Sequence, residues 1–184
     1  MRWQRLTVCA GVLAAATHVN AEESDGFNVL TSALTLWEVA LQEERADLAI
    51  AALEVVTRLS PLGADSWIDD AQIETRLLAL GDRGILERVS ALSLAPSAAN
   101  LGILVANGEG AIVTMPADAR LGRLWGPVGA GHTVATDATG QRCTSDGSPV
   151  LDCGDAGLTD EVRVIGDPGL YAYEVTSIDE GAEK

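Results

Sequence analysis

The sequence predicts an α+β protein in which about four helices, arranged as helical hairpins, precede a small antiparallel β-sandwich or barrel. Two observations predict this class. Residues 27–95 repeat apolar side chains at helical spacing, whereas after Pro96 the chain is richer in Gly, Thr, Val and Asp and its apolar runs shorten. We therefore predict a signal peptide over 1–21, a helical hairpin region over 22–96 and a β-rich domain over 97–184.

The first 21 residues have the layout of a cleavable secretory signal peptide. Arg2 and Arg5 form a basic start, residues 6–19 are mostly apolar, and Val19-Asn20-Ala21 offers small residues at the positions that signal peptidase reads. The alternative is an uncleaved membrane anchor, but a spanning helix needs about 20 predominantly apolar residues. We therefore expect cleavage before Glu22 and an exported protein, either periplasmic or secreted.

The charge balance restricts the classes of partner. The whole chain has a formal net charge of −15, and removal of residues 1–21 leaves 10 basic against 27 acidic residues, or −17. Such a chain repels the phosphate backbone of nucleic acid and anionic lipid surfaces. We expect an acidic protein that binds no nucleic acid and whose mature chain has no membrane span.

Helical periodicity and capping residues divide the first region into four helices. Asp47 can cap the second, which Pro61 and Gly63 end, and Asp65 can cap the third. Gly81 ends the third helix, and the fourth runs from Asp82 through Leu92 to Pro96. The apolar positions that we expect to share a face are Leu30, Leu34, Trp37 and Leu41 in the first, Leu48, Ala52, Val55 and Leu59 in the second, and Ile68, Ala71, Thr75 and Leu78 in the third.

The two predicted hairpins resemble each other. A shift of 35 residues aligns Asp47 with Asp82 and Pro61 with Pro96. Leu80-Gly81-Asp82, followed by the stretch ALSLAP at 91–96, resembles the second helix of a tetratricopeptide repeat and its closing proline. The resemblance covers residues 30–96 and implies stacked hairpins that offer a surface to a partner. An ordinary four-helix cluster remains the alternative.

Short apolar runs and turn residues predict strands in the second region. We expect a hairpin turn at Asn107-Gly108 and further turns at 137–140 and 167–169. In the last strand Tyr171, Tyr173 and Val175 share a face and form the best core candidate of this region. The predicted strands lie near 101–106, 110–115, 119–125, 132–137, 160–166 and 169–176.

A second resemblance concerns this β-rich region. The stretch VATDATGQ at 134–141 and, after a polar loop, DPGLYAYEV at 167–175 resemble the end of pre-peptidase C-terminal-type sandwiches. Those sandwiches have a strand with an Asp-x-x-Gly turn and finish with a Gly-x-Tyr strand. The resemblance covers about residues 100–178 and implies a β-sandwich of the kind found as an accessory part of secreted proteins.

Cys143 and Cys153 lie in a loop rich in Gly, Asp and Ser. In an oxidising compartment such a pair forms a disulfide, and we predict this bond. The alternative is a partial metal site together with His132, although structural zinc normally takes four Cys or His ligands.

The sequence offers few groups for catalysis. After the predicted cleavage His132 is the only histidine, and no nucleophile elbow, phosphate loop, zinc-protease helix or dinucleotide fingerprint is present. We predict that the protein is not an enzyme and has no cofactor. A hydrolase that uses only carboxylates is the weaker alternative, since glycoside hydrolysis needs no histidine.

Binding is therefore the favoured class of function. We predict an exported, non-catalytic protein-interaction or scaffolding module of the cell envelope with a protein partner. The alternative is a carbohydrate- or calcium-binding sandwich, because an exposed Trp can stack on sugars and the Asp-rich loop at 137–160 offers oxygen ligands. The candidate ligand-binding residues are Trp125, His132, Asp137, Asp146, Asp152 and Asp155.

Overall fold

A computed structural model describes residues 26–59, 61–62, 71–92, 98–106, 110–127, 133–145 and 147–178. The predicted signal peptide, the Asn107-Gly108 turn, His132 and Asp146 lie outside these ranges. Within the described ranges, no helix combines the length and the apolar character that a membrane crossing requires.

Four α-helices, nine strands and one short 3-10 helix (Gly154–Ala156) form this part of the chain, and the four α-helices precede all strands except β1. The helices are α1 (Gly26–Gln42), α2 (Ala46–Leu59), α3 (Ala71–Ala79) and α4 (Ile85–Ser90), and β1 (Pro61–Leu62) follows α2. The other strands are β2 (Ala98–Ala106), β3 (Ala111–Thr114), β4 (Ala119–Trp125), β5 (Val134–Asp137), β6 (Arg142–Thr144), β7 (Val150–Asp152), β8 (Glu161–Ile165) and β9 (Gly169–Ser177).

The helices α1 and α2 form a hairpin held by apolar side chains. Leu30, Leu34 and Trp37 of α1 are fully buried, as their spacing predicts. In α2 the buried stripe is offset from the prediction and consists of Ala49, Ala52, Leu53 and Val56, while Leu48, Val55 and Leu59 are only partly buried. The small alanines of this stripe allow the two helices to approach closely.

The face predicted for α3 is wrong. Ile73 and Leu77 are buried, whereas Ala71, Thr75 and Leu78 are exposed. The prediction counted the spacing from Ile68, which lies outside the described residues, and within Ala71–Ala79 the counted positions fall on the side of the helix opposite Ile73 and Leu77. The last helix, α4, buries Ile85 and Val89 and follows Asp82, whose carboxylate accepts the N–H of Gly84 at 3.0 Å.

The strands form two sheets that face each other as a sandwich and do not close into a barrel. The first sheet has the order β1-β2-β9-β4-β7 and the second has the order β3-β8-β5-β6. All observed pairings are antiparallel except the short parallel pair β1–β2. The α+β class and the sandwich are thereby confirmed, and six strands lie where the sequence predicts them, while β1, β6 and β7 were not predicted.

The last strand, β9, shows how the layers are stacked. Tyr171, Tyr173 and Val175 point between the two sheets, as predicted, and belong to the core of the sandwich. Leu170 and Ala172 point the other way, into a second core that also contains α1 residues such as Phe27. The helices therefore cover the outer face of the first sheet, which gives a helix layer, a first sheet and a second sheet in that order.

The predicted cysteine pair lies at the side of the sandwich. Cys143 is in β6, an edge strand of the second sheet, and Cys153 directly follows β7, an edge strand of the first sheet. The two residues form a disulfide with their Cα atoms 5.5 Å apart. This bond joins the two sheets at the edge opposite β3 and β1.

Candidate functional site

The Asp-rich loop that suggested calcium begins with a carboxylate engaged in its own turn. Oδ1 of Asp137 accepts the N–H of Thr139 at 2.9 Å, the hydroxyl of Thr139 at 2.7 Å and the N–H of Gln141 at 3.0 Å. Burial raises the pKa of Asp137, but these hydrogen bonds and one from the backbone of Thr159 outweigh it and hold the pKa below its ordinary value. This carboxylate shapes the turn between β5 and β6.

The other acidic candidates are separated from this turn. Asp152 is exposed at the end of β7 and accepts the N–H of Gly154 at 3.1 Å, and Asp155 is exposed in the short helix that follows. Asp146 and His132 lie outside the described residues. Among the residues that the structure describes, no group of three or more His, Cys, Asp or Glu side chains is arranged to hold a metal ion.

Trp125 ends β4 inside the molecule. Its side chain is 3% exposed and packs in the core between the helices and the first sheet, together with Leu170 and Ala172. A sugar stacks on an exposed ring face, which Trp125 does not offer.

A β-bulge in β4 places two arginines on the side of the first sheet that faces the helices. The register pairs Arg120 with Thr176 and Arg123 with Glu174, and it shifts between Leu121 and Arg123. Without the extra residue, Arg120 and Arg123 would point to opposite faces, because side chains alternate along a strand. The bulge thus creates a polar cluster, the arginine cluster, which consists of Arg120, Arg123, Glu174 and Thr176.

Glycine at the bulge permits a close approach of the two strands. A Cβ atom on Gly122 would lie 2.7 Å from the Cγ2 methyl of Thr176 and 3.4 Å from the carbonyl oxygen of Glu174. Real Cβ atoms do not approach other heavy atoms so closely, and a side chain here would push Thr176 away from β4. The position of Thr176 beside Arg120 therefore depends on this glycine.

One half of the arginine cluster is internally paired. Nε of Arg123 donates to Oε2 of Glu174 at 2.6 Å, and both side chains are largely buried. The guanidinium of Arg123 also lies 4.5 Å from the ring centre of Phe27, at the start of α1. This ion pair and ring contact attach the first turn of α1 to the sheet.

Unlike the arginine cluster, the outer face of the second sheet is exposed to solvent. In the described part of the chain no helix covers it, and Ile112 is 65% exposed and Ile165 43% exposed. Register places Ile165 beside Val134 and places Ile112 beside Arg163. We call this surface the open face, and its members are Ile112 and Thr114 of β3, Val134 and Thr136 of β5, Arg142 and Thr144 of β6, and Glu161, Arg163 and Ile165 of β8.

Sequence reasoning singled out neither the arginine cluster nor the open face. A signal for the first was present, because the stretch RLGR at 120–123 has a glycine inside a predicted strand, which favours a bulge. A signal for the second was the strict alternation of β8, with Val162 and Val164 buried between exposed neighbours. Comparisons of the chain with protein-family models, curated proteins and solved structures found no match.

Proposed function

We propose that this protein is an exported, non-catalytic interaction module that binds a protein partner through the open face. The observation that carries the proposal is the exposure of Ile112 and Ile165 on a sheet face that no described element covers. Exposed apolar side chains grouped on one surface are typical of protein interaction sites.

The geometry of the open face supports this proposal. Ile165, Val134 and Ile112 come from three neighbouring strands of an antiparallel sheet, so they lie on one continuous surface. The register pairs Ile165 with Val134 at one end of the face and places Arg163 between Ile112 and Thr136, so apolar and charged side chains lie side by side on this surface. β-Branched side chains lose little conformational freedom when a partner covers them.

Export is supported by the predicted signal peptide and by the cysteine pair. A disulfide between Cys143 and Cys153 persists in oxidising compartments and is rare in the cytosol. The cross-link also joins the edge strand β6 of the second sheet to the first sheet, and a face held in place before binding lowers the entropic cost of binding.

The test is site-specific photocrosslinking of the mature protein in a cell-envelope extract from its source. A photoreactive amino acid replaces Ile112 or Ile165 in two variants and Leu78, which is 52% exposed on α3, in a control variant. We expect the same partner protein to be captured from positions 112 and 165 and not from position 78. Ile165→Asp, in the protein carrying the crosslinker at 112, should abolish this capture.

Equal capture from positions 112 and 78, or no capture from either open-face position, would overturn the proposal. Circular dichroism of each variant checks that the substitution leaves the fold intact. Because Ile165 is 43% exposed, its replacement with Asp should leave the fold intact.

A further inference from the structure

The edge of the second sheet at β3 presents backbone groups that have no partner. Met115 donates its N–H to the carbonyl of Asp160 at 2.6 Å, which fixes which pairs of the β3–β8 ladder are hydrogen-bonded. Such pairs alternate with non-bonded ones in an antiparallel ladder, so Val113 bonds to β8, whereas the N–H and C=O groups of Ile112 and Thr114 point away from it. Within the described ranges these groups have no hydrogen-bond partner.

This edge is the least protected of the four sheet edges that the structure describes. β1 has two residues, one of them Pro61, and β6 and β7 have three residues each, a charged side chain in each strand and the disulfide beside them. Proline, charge and short length are the usual means by which sheet edges avoid added strands. β3 has four residues without charge or proline, and both Ile112 and Thr114 are exposed. A further strand can therefore reach the edge of β3.

The stacking of the two sheets favours one added strand. The disulfide aligns β6 with β7 at the opposite end, and Val113 of β3 shares a core with Leu104 and Ala106 of β2. Counted from the disulfide, the second sheet faces β7, β4, β9 and β2, and β1 has no counterpart among the described strands. A strand added to β3 would lie opposite β1 and would complete a sandwich of five strands on five.

A second copy of the chain fits this edge less well than a single segment. Paired through its own β3, a second copy would bring a second β1 to the same end of the sandwich. The formal net charge of −15 on each chain also opposes self-association.

We propose that the edge of β3 binds one extended segment of a partner protein as an additional antiparallel strand. The backbone of this segment bonds to the N–H and C=O groups of Ile112 and Thr114, which supplies affinity with little dependence on sequence. Its side chain beside Val113 points between the sheets and is apolar, and the side chains on either side of that residue lie on the open face. The proposal names how the partner of the proposed function binds, and it rests on that function only for the source of the strand.

A peptide that copies β8 tests the edge. The capped peptide EVRVIG repeats residues 161–166, has no net charge, and has the alternation that already matches β3 along its other edge. It is titrated to millimolar concentration into the isotopically labelled mature protein, and backbone amide signals are followed by nuclear magnetic resonance. We expect saturable shifts and slowed hydrogen exchange at Ile112 and Thr114. The peptide VVIERG, which has the same composition without the alternation, should cause neither.

Matched variants assign the binding to the backbone of β3. Thr114→Pro removes one outward N–H and leaves the ladder with β8 intact, since this N–H does not bond to β8. It should weaken peptide binding at least about tenfold, whereas Thr114→Val should bind as the wild type does. N-methylation of the peptide tests the same bonds without altering the protein. At its arginine, whose N–H faces β3 in this register, it should block binding, and at its second valine, whose N–H points away, it should not.

Absent or unsaturable shifts, or equal binding of the two N-methylated peptides, would overturn the proposal. Slow exchange at Ile112 and Thr114 in the free protein would also overturn it, because the chain itself would then cover the edge. Signals of these two amides that change with protein concentration would overturn it in favour of a second copy.

The photocrosslinking experiment separates this proposal from the proposed function. Thr114→Pro, in the protein carrying the crosslinker at 165, should abolish capture of the partner. Undiminished capture would overturn strand addition and leave the open face as the binding site. Peptide binding without capture from position 112 or 165 would instead overturn the proposed function and leave the strand site in place.

Discussion

The two sheets of this protein differ in the number of faces that they bury. In the first sheet, β9 has five consecutive buried residues from Gly169 to Tyr173, because helices cover one face and the second sheet covers the other. In the second sheet, β8 alternates strictly, with only Val162 and Val164 buried. The burial pattern of a strand therefore indicates the position of its sheet. Continuous burial indicates a sheet covered on both faces, and alternating burial indicates a sheet with one face exposed to solvent.

The sharpest test of this difference compares two aliphatic side chains on the outer faces of the two sheets. Leu170→Ala, on β9 beneath the helices, should lower the free energy of unfolding by about 2–5 kcal/mol, because it leaves a cavity in a closed core. Ile165→Ala, on the open face, should lower it by less than about 1 kcal/mol. Urea denaturation of both variants gives the two values, and similar losses would show that the open face is covered.

The disulfide joins the two layers, and its removal is the next largest expected effect. Replacing both Cys143 and Cys153 with Ala should lower the free energy of unfolding by about 3 kcal/mol, since the bond closes a loop with a sequence separation of 10. Reduction of the wild type under denaturing conditions, followed by refolding in reductant, should match the double variant. A double variant as stable as the wild type would mean that β6 and β7 are held without the bond.

The sequence predicts those helices and strands in which apolar residues recur at regular spacing, but it does not predict the shortest strands. Helices α1 and α2 and six strands were predicted because their apolar residues repeat over several turns or pairs. Strands β6 and β7 have three residues each and bury only Cys143 and Leu151, so they offered no period to detect within a polar loop. The face of α3 was predicted wrongly for a related reason, since its nine residues contain only two buried apolar positions, Ile73 and Leu77, and a series counted from another residue selects the opposite face.

The candidate sites depended on features that no local pattern encodes. Which face of a strand is covered follows from packing between distant segments, so the sequence could name Tyr171 and Tyr173 as core but not the helix layer above Leu170. The burial of Trp125 was not predictable for the same reason, because the helices that cover the first sheet are what bury it. The pairing of Arg120 with Thr176 requires the register of β4 against β9 and the position of the bulge.

The third prediction concerns Asp137, whose carboxylate stabilises the turn after β5 in the second sheet. Asp137→Ala should lower the free energy of unfolding by about 1–3 kcal/mol at pH 7, because it removes the acceptor of three hydrogen bonds. Asp155→Ala, at an exposed position, is the matched control and should change it by less than about 0.5 kcal/mol.

The pH dependence of this effect has a definite sign. The hydrogen bonds hold the pKa of Asp137 below its ordinary value, so its ionised form stabilises the fold. That stabilisation is present above the unfolded pKa of about 3.9 and is lost as pH falls through the folded pKa. The difference between wild type and Asp137→Ala should therefore shrink in acid, and a constant difference from pH 7 to pH 3 would contradict this account.

The smallest expected effect concerns the helices that cover the first sheet. Glu38 of α1 has a buried Oε1 without a hydrogen-bond partner, and its ion-pair partner Arg76 of α3 is 3.9 Å away. Burial raises the pKa of Glu38 and outweighs the opposing attraction of Arg76, so folding disfavours the ionised carboxylate relative to the unfolded chain. Glu38→Gln should therefore raise the free energy of unfolding at pH 7, by less than about 1 kcal/mol because solvent screens the charge.

The sign of this effect distinguishes Glu38 from Asp137. A raised folded pKa means that the contribution of Glu38 to stability is present below its unfolded pKa of about 4.3 and is lost as pH rises through the folded value. The advantage of Glu38→Gln should thus be largest at pH 7 and disappear near pH 4, the opposite trend to Asp137→Ala. Glu54→Gln, which removes an exposed carboxylate from α2, controls for net charge. If Glu38→Gln were destabilising at pH 7, the attraction to Arg76 would outweigh burial and would hold α3 against α1.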